Sequence, residues 1–455
     1  MSSSLPKIKV GCPHFRSSVK QIMAENNTLN SAMSDIIDNV HGIAAVIKQD
    51  ISNDFVALCD IKFEYDEGTL YKIKISDNIP HGFKDIHESS TNNPLNMGHI
   101  RSGQTHDDRE TSEFGTGLKK ALIYLAKEAV IYTRVVDNNQ TISYVCVIFD
   151  FVEMSNRIEP QISYEPTSFE HITEETFKMV HPYETGSSII LTNLRNSDIT
   201  FDTVKGVRLD QTEFEDNFRR EIGDNMSDII RDNIIQITVN DKIVQEKVDL
   251  IQLIQKNKFV NTFYVEFNGK GDIIDVYREG HTPTKRPQIM QYDANKVTFK
   301  RADTKTFEIF KQKPSVNQVN MTSLTTKGTC YEENHQCNDM TAIKRNGRCF
   351  GSVKITKQEK DGYSNHIHHE IKYMSKKLNM SMGVGSNKRV VSDKNNMLMS
   401  AIHITQKEIN SKLRKYCKDK QPIIESSSSS DSEDSVVSIK IIKSIKKKTS
   451  RYNIG

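Results

Sequence analysis

The first 200 residues alternate between segments of helical periodicity and segments of strand periodicity, and this alternation restricts the fold more than any other feature. Apolar residues recur three and four apart over 29–48, which predicts an amphipathic helix. Strand-like runs follow at 55–65 and 70–77, joined by a turn at 66–68. A second set of helix and strands follows later in the chain. The pattern therefore predicts an α+β fold, in which helices pack against a sheet.

The second set comprises a helix near 118–126, a strand pair at 129–136 and 142–151, and a further strand at 187–194. A long polar segment, 80–113, separates the two sets and has little apolar periodicity. Loops of this length inside a domain are usually functional or disordered. We therefore expect a long loop at this point, and not a further part of the sheet.

The pattern changes near residue 200, which predicts a second α+β domain over 201–420, after a first domain over 1–200. The second domain is expected to contain a helix at 211–232 and a hairpin at 234–246. Residues 421–455 hold a serine run, acidic residues and then a basic stretch. Such a composition buries too little apolar surface to offset the entropy of ordering the chain. We expect this tail to be disordered.

Composition indicates the compartment. The chain has no run of about 18 apolar residues, so it offers no transmembrane helix and we expect no membrane partner. The N-terminus lacks the apolar segment of a secretory signal. The seven cysteines are an odd, scattered set, which favours a reducing compartment. We expect an intracellular protein, and the sequence does not separate cytoplasm from nucleus.

Three polar segments follow one another at the element ends. Asp35 and Asn39 lie four apart, so they share the polar face of the first helix. The second strand ends at Asp77, and the chain then bends at Gly82. The long loop ends in EFGTGLK, where two glycines allow the backbone to approach an anion and Lys119 adds a charge. A single GxGxK is weak evidence for an anion-binding site, because it can be an ordinary glycine turn. The three polar segments in this order are much stronger evidence for such a site.

The order of these segments resembles the Bergerat-type, or GHKL, ATPases, and most closely the microrchidia (MORC) proteins. The family's first motif is an ExxxN helix that supplies a general base and a magnesium ligand, and it resembles SAMSDIIDNVHGIAA. The adenine-binding DNGxGM motif resembles SDNIPHGF, the phosphate loop SEFGTGLKKALIYLAKEAVIYT, and the last motif ETGSSIILTNL. Weaker similarity to the family's transducer region continues through FRREIGDNMSDIIRDNIIQITVNDKIV, AIKRNGRCFG and VGSNKRVV. The resemblance implies a GHKL, or Bergerat, ATP-binding α/β sandwich followed by a transducer-like α+β domain.

The resemblance also implies roles for individual residues, with ATP and Mg²⁺ as cofactors. Asp35 would orient or deprotonate the attacking water, and Asn39 would ligate magnesium. Asp77 would accept a hydrogen bond from adenine, beside Gly82 and Ser187. The 80–113 loop would close as a lid. The residues implied to hold the phosphates are Gly115, Thr116, Gly117, Leu118, Lys119 and, from the second domain, Lys388.

The chain departs from the family pattern at these motifs. Asp35 replaces the family's glutamate and is shorter by one methylene, so its carboxylate lies further from the water. The first glycine of DNGxGM is absent, and the second, Gly82, is displaced by one residue. Ser187 replaces threonine and keeps the hydroxyl. These changes favour ATP binding as the retained function and make hydrolysis slower.

The resemblance implies a homodimer that closes on ATP as a clamp around DNA. Residues 342–389 hold 11 basic and 3 acidic side chains, so they are expected to contact DNA phosphates without reading sequence. The basic residues named for this contact are Lys344, Arg345, Arg348, Lys376 and Lys377. Two alternatives remain: a chaperone-like ATPase that acts on proteins, and a degenerate ATP-binding scaffold with little hydrolysis.

A zinc site is a further and less favoured alternative. Its candidate ligands are Cys330, His335, Cys337 and Cys349, whose spacing fits no common zinc finger well.

Overall fold

The structure is a computed structural model, and its described residues all fall within the first of two compact units, Met1–Arg414 and Lys415–Gly455. The described residues are 15–24, 28–83, 86, 117–137, 139–156, 166–195, 201–202, 207–247, 259–268, 273–279, 289–292, 296–300, 306–310, 321–330, 341–353, 367–374, 378, 398, 402 and 411. The predicted tail, 421–455, lies outside them, as does most of the predicted 80–113 loop.

The described helices are short except for the second. Their bounds are α1 Phe15–Ala24, α2 Leu29–Asp50, α3 Gly117–Leu125, α4 Phe151–Asn156, α5 Glu174–Val180, α6 Gln211–Asn225 and α7 Ser227–Arg231. Helix α2 begins with a capping box, because the Ser31 backbone N–H donates to Thr28 Oγ1 at 3.2 Å and the Thr28 backbone N–H donates to Ser31 Oγ at 2.9 Å. Its apolar residues face the core, which confirms the amphipathic helix predicted over 29–48.

The first sheet contains eight of the described strands, in the order β10-β9-β1-β2-β6-β3-β4-β5. Their bounds are β1 Ala57–Asp66, β2 Thr69–Asp77, β3 Ala126–Val136, β4 Ile142–Asp150, β5 Ser168–His171, β6 Ser187–Leu194, β9 Ile235–Val239 and β10 Lys242–Ile243. A separate pair of short strands is formed by β7 Phe201–Asp202 and β8 Val207–Arg208. The mixed sheet with helices confirms the predicted α+β class.

The second sheet contains nine of the described strands, in the order β13-β14-β15-β12-β11-β16-β19-β17-β18. Their bounds are β11 Phe259–Phe267, β12 Ile273–Glu279, β13 Ile289–Tyr292, β14 Lys296–Lys300, β15 Thr306–Phe310, β16 Met321–Cys330, β17 Thr341–Arg345, β18 Arg348–Val353 and β19 Ile367–Tyr373. The boundary predicted near residue 200 stays a prediction. Strand β9 pairs in parallel with β1, so the first sheet itself extends past that boundary.

Helices α2, α3 and α6 pack against the first sheet and share one hydrophobic core with it. Side chains alternate between buried and partly buried along β1, and Ile61 and Phe63 point into this core. The Phe218 ring of α6 meets the Phe63 ring edge to face, with centroids 5.0 Å apart. This packing holds α2 and α3 beside the strands that carry the predicted site. Among the described residues, no helix is long and apolar enough to cross a membrane.

Candidate functional site

Two of the predicted site segments meet where β2, β6 and β3 lie side by side. Asp77, the last residue of β2, pairs with Ser187, the first residue of β6. Thr133 of β3 lies opposite Ser187 on the other side, and their hydroxyl oxygens are 2.9 Å apart. The backbone N–H of Phe83 donates to Thr133 Oγ1 at 3.0 Å, which holds the bend after β2 against β3. The segments around residues 77, 82 and 187 are therefore brought together, as the sequence predicts.

Asp77 is a half-buried residue, and its carboxylate is largely withdrawn from water. Burial raises its pKa from 3.8 to about 7, although hydrogen bonds from the backbone N–H groups of Ile79 and Ser187 act in the opposite direction. The Ile79 N–H donates to Asp77 Oδ1 at 2.9 Å. A buried carboxylate with a raised pKa lowers the stability of the fold at neutral pH. Such groups concentrate at functional sites, so Asp77 is the strongest single candidate among the described residues.

Two glycines permit this close packing. Gly186 has φ +113°, and a Cβ there would lie 1.8 Å from the Asp77 carbonyl oxygen. Gly82 has φ +55°, and a Cβ there would lie 2.1 Å from the Arg134 carbonyl oxygen and 2.4 Å from Thr133 Oγ1. Both positions therefore require glycine for conformation and for space. The contacts of Gly82 are with the backbone and side chain of β3, so it fixes the bend next to Asp77.

A buried chain of hydrogen bonds, which the sequence reasoning missed, supports the start of β6. His181 Nε2 lies 2.8 Å from the Thr185 carbonyl oxygen, and because a carbonyl only accepts, Nε2 carries the hydrogen. Nδ1 then accepts from Ser188 Oγ at 2.8 Å, and Ser188 Oγ accepts from Ser76 Oγ at 2.7 Å. Burial lowers the pKa of His181 to about 4, which keeps the imidazole neutral. The sequence signal for this chain was the presence of hydroxyl side chains, those of Ser76 and Ser188, in otherwise apolar strands, since buried hydroxyls need hydrogen-bond partners.

The predicted base and magnesium ligand lie one turn apart on α2. The Asn39 side-chain Nδ2 donates to the Asp35 carbonyl oxygen at 2.7 Å. Because only the amide nitrogen can donate to a carbonyl, this bond fixes which end of the side chain is the oxygen. Asn39 Oδ1 is therefore the atom that could coordinate a hard cation. Among the described residues, no cluster of three or more His, Cys, Asp or Glu side chains is suited to hold a metal.

The predicted phosphate segment is described from the first residue of α3 onward. Helix α3 begins at Gly117 and packs against α2, and Leu118 is buried in the shared core. Burial lowers the pKa of Lys119 to about 8, so its ammonium is partly withdrawn from water at the first turn of the helix. Gly115, Thr116 and Lys388 lie outside the described residues, and their roles stay predictions.

The prediction that Lys344, Arg345 and Arg348 contact DNA phosphates is wrong for this conformation. All three side chains are buried. Lys344 Nζ pairs with Asp228 Oδ1 at 3.0 Å and with Glu370 Oε1 at 2.8 Å. The local charge count failed because it does not show which charges pair: Asp228 lies far earlier in the chain, and Glu370, although within the basic segment, becomes a neighbour of Lys344 only on folding. Lys376 and Lys377 lie outside the described residues, so their predicted contacts stay untested.

Arg348 instead reaches the predicted catalytic helix. Its Nη1 lies 3.6 Å from Asp35 Oδ1 and forms a shorter ion pair with Asp38 Oδ2. Asp38 lies within the apolar face of α2 and is almost fully buried. Sequence reasoning missed this acid, although a carboxylate in an apolar stripe requires a cationic partner.

Of the four candidate zinc ligands, Cys349 is the one whose side chain belongs to the described part of the chain. Cys349 is partly buried, and its Sγ donates to the Gly351 carbonyl oxygen at 3.4 Å. Burial raises the pKa of this thiol, which opposes the thiolate that a metal needs. His335 and Cys337 are outside the described residues, and so is the side chain of Cys330.

Two comparisons with known proteins find no relative for this chain. A scan against protein-family models finds no match, and a search of curated proteins finds none either. A functional proposal therefore rests on the geometry of the site and on the resemblance of its motifs.

Proposed function

We propose that this chain is a GHKL-type ATPase that binds ATP with Mg²⁺ between α2, α3 and the ends of β2 and β6, and hydrolyses it slowly. The observation that carries the proposal is the meeting of Asp77, Gly82 and Ser187 around a desolvated carboxylate. Asp77 and Gly82 belong to one motif and Ser187 to another, more than 100 positions later, and the convergence of the two motifs in one place is what a nucleotide site requires.

The adenine end of the proposed site follows from the chemistry of Asp77. An ionised carboxylate only accepts hydrogen bonds, so it suits the exocyclic amino group of adenine. One oxygen already accepts from the Ile79 N–H, and the carboxylate retains further acceptor capacity for the base. Guanine would place a carbonyl oxygen against the same carboxylate, and two facing acceptors repel. The proposed site therefore prefers ATP to GTP.

The phosphate end is assigned to α2 and α3. Backbone N–H groups at the start of α3 and the ammonium of Lys119 would bind the phosphates, since a helix N-terminus carries partial positive charge. Asn39 Oδ1 would hold Mg²⁺. ATP supplies the phosphoanhydride bond, and Asp35 would orient or deprotonate the attacking water. A carboxylate one methylene shorter than glutamate reaches less far, which is the reason for proposing slow turnover.

The resemblance extends this proposal to a homodimer that closes on ATP and holds DNA through phosphate contacts. Lys344, Arg345 and Arg348 do not supply those contacts while they are buried, so other basic side chains would have to do so. Stimulation of ATP turnover by DNA favours this clamp, whereas stimulation by unfolded protein favours the chaperone-like alternative. Turnover at background level with intact ATP binding favours the scaffold.

The test is calorimetric titration of the full chain with a non-hydrolysable ATP analogue, in magnesium and in excess EDTA. We expect magnesium-dependent binding by the wild type, with GTP analogue at least about tenfold weaker, because a lost or repulsive polar contact is worth over ~1 kcal/mol. Asn39→Ala should lose the magnesium dependence. Asn30→Ala, in the first turn of α2 and away from Asn39, is the matched control and should bind normally. Normal magnesium-dependent affinity in Asn39→Ala would remove the assignment.

A further inference from the structure

The hairpin formed by β17 and β18 packs closely against the helices of the first sheet. Asn346 and Gly347 both have positive φ, +49° and +81°, as the tightest two-residue hairpin turn requires. The tip rests on α7, where a Cβ on Gly347 would lie 3.1 Å from Ile229 Cγ1 and 3.3 Å from Asp228 Cβ. The turn therefore approaches α7 as closely as glycine allows.

A buried ion cluster anchors the same hairpin. Lys344 of β17 and Lys372 of β19 both pair with Asp228 of α7, at 3.0 Å and 2.6 Å. Glu370 of β19 completes the cluster, with its Oε1 2.8 Å from Lys344 Nζ. Arg231 of α7 also pairs with Asp228, at 3.0 Å, so three cations meet two acids, and each buried charge has an opposite charge beside it, which is the condition under which buried charges are tolerated. The second sheet is thus held to α7 by groups that cannot separate without exposing charges.

Next to this anchor, the first residue of β18 projects onto α2. Arg348 is 5% exposed, and its guanidinium lies 5.1 Å from the centre of the Phe350 ring. It forms an ion pair with Asp38 and lies 3.6 Å from Asp35 Oδ1. Asp35 and Asp38 are three residues apart, so they share one side of the helix. One arginine of the second sheet therefore bridges both acids beside the proposed nucleotide site.

We infer that the β17–β18 hairpin is a latch on the ATPase site, in which Arg348 restrains Asp35 and holds turnover down. The inference rests on the proposed function. Asp35 can act on the attacking water only through a carboxylate oxygen, and the positive charge of Arg348, 3.6 Å from Oδ1, attracts that oxygen and orients it towards β18. Displacement of the hairpin would release Oδ1 and break the ion pair between Arg348 and Asp38. Arg348 is thus a positioning residue, which couples the placement of the second sheet to the rate of hydrolysis.

The test compares substitutions on the two sides of the bridge in the full chain. Arg348→Met should raise kcat for ATP about tenfold, equivalent to ~1.4 kcal/mol, because Oδ1 is released. Asp38→Asn should lower kcat, because Arg348 is left with Asp35 as its acidic partner on α2. Both changes disrupt one ion pair, so a purely structural role would move kcat in the same direction in both. Arg231→Met, which removes a cation bound to Asp228 on α7, is the matched control and should leave kcat unchanged.

Two further measurements separate the latch from the proposed function. Each variant is first titrated with the non-hydrolysable ATP analogue, and kcat is expressed per binding-competent molecule, so partial unfolding does not affect the comparison. In an Asp35→Asn background, Arg348→Met should change nothing. Opposite shifts in kcat support the latch. An unchanged kcat in Arg348→Met, or equal shifts in both variants, with intact analogue binding, overturns the latch alone. Absence of analogue binding by the wild type overturns the proposed function and the latch with it.

Discussion

Replacement of Asp77 by asparagine should stabilise the nucleotide-free protein at alkaline pH. The substitution removes the buried ionisable group and keeps an oxygen that can accept from the Ile79 N–H. Burial raises the pKa of Asp77 from 3.8 to about 7, so the native state favours the protonated acid. The stability that this protonation contributes is complete below about pH 4 and is lost as the pH rises through 7.

The size of the effect follows from the two pKa values. The difference between 3.8 and about 7 corresponds to a cost of roughly 4 kcal/mol above pH 7 if the site stays dry. Entry of water and relaxation of the loop reduce such penalties, so about 1–3 kcal/mol is expected. The stability that the wild type loses between pH 5 and pH 8 is about 1–2 kcal/mol, since Asp77 in the unfolded state is almost fully ionised by pH 5.

The assay is thermal unfolding of wild type and Asp77→Asn at pH 5 and pH 8, without nucleotide. The variant should melt higher than the wild type, and the gap should widen from pH 5 to pH 8, at about 2–4 °C per kcal/mol. Asp66→Asn, in the exposed turn of the same hairpin, is the matched control and should show no such widening. A gap that is equal at both pH values, or a variant that is less stable at pH 8, would refute the desolvated carboxylate.

The remaining predictions concern the nucleotide, the backbone and DNA. Affinity for the ATP analogue should fall about tenfold from pH 8 to pH 6, because Asp77 takes up a proton over that range. The titration of ATP itself affects wild type and Asp77→Asn alike, so the difference between the two proteins isolates the contribution of Asp77. Asp35→Glu should raise ATP turnover in a steady-state assay, because the longer side chain restores the reach of the family's base; equal or lower turnover counts against Asp35 as the base. Gly186→Ala should lower the free energy of unfolding by over ~2 kcal/mol, measured by thermal unfolding. Gly68→Ala is the control, because Gly68 also has positive φ but no atom near a Cβ, and it should cost about 1 kcal/mol. Equal losses in the two variants would show that the contact with Asp77 is irrelevant. ATP should increase the salt-resistant retention of the protein on closed circular DNA but not on linear DNA, and equal retention on both forms would exclude a clamp. Lys344→Met should leave the salt dependence of DNA binding unchanged, because this side chain is buried.

Local periodicity was sufficient to predict most of the first sheet and its helices. The helix predicted at 29–48 is α2, and the strands predicted at 70–77 and 187–194 are β2 and β6. The apolar residues of these segments follow the period of their own element, so no distant contact is needed to identify them. No strand was predicted at 367–373, where pairing with β16 and β17 determines the structure of β19.

The ion pairs could not be predicted in the same way. The basic stretch around Lys344 and Arg348 has a high local charge, which indicated a surface for polyanions. Its true partners, Asp38 and Asp228, lie far earlier in the chain and become neighbours only when the two sheets come together. Charge patterning along a sequence reports on solvent-exposed segments and cannot show which charges are neutralised by folding. The motif segments at the site were found because each carries several constrained residues in a short run.

The central claim is that ATP binds with its adenine beside Asp77 and Ser187, and photoaffinity labelling tests it most directly. The full chain would be irradiated with an azidoadenine analogue of ATP in magnesium, digested, and the labelled peptides identified by mass spectrometry. Labels should fall within 76–83 or 181–188 and should disappear with excess ATP but persist with excess GTP. Labelling confined to other segments, or labelling of these segments that excess ATP does not reduce, would contradict the claim.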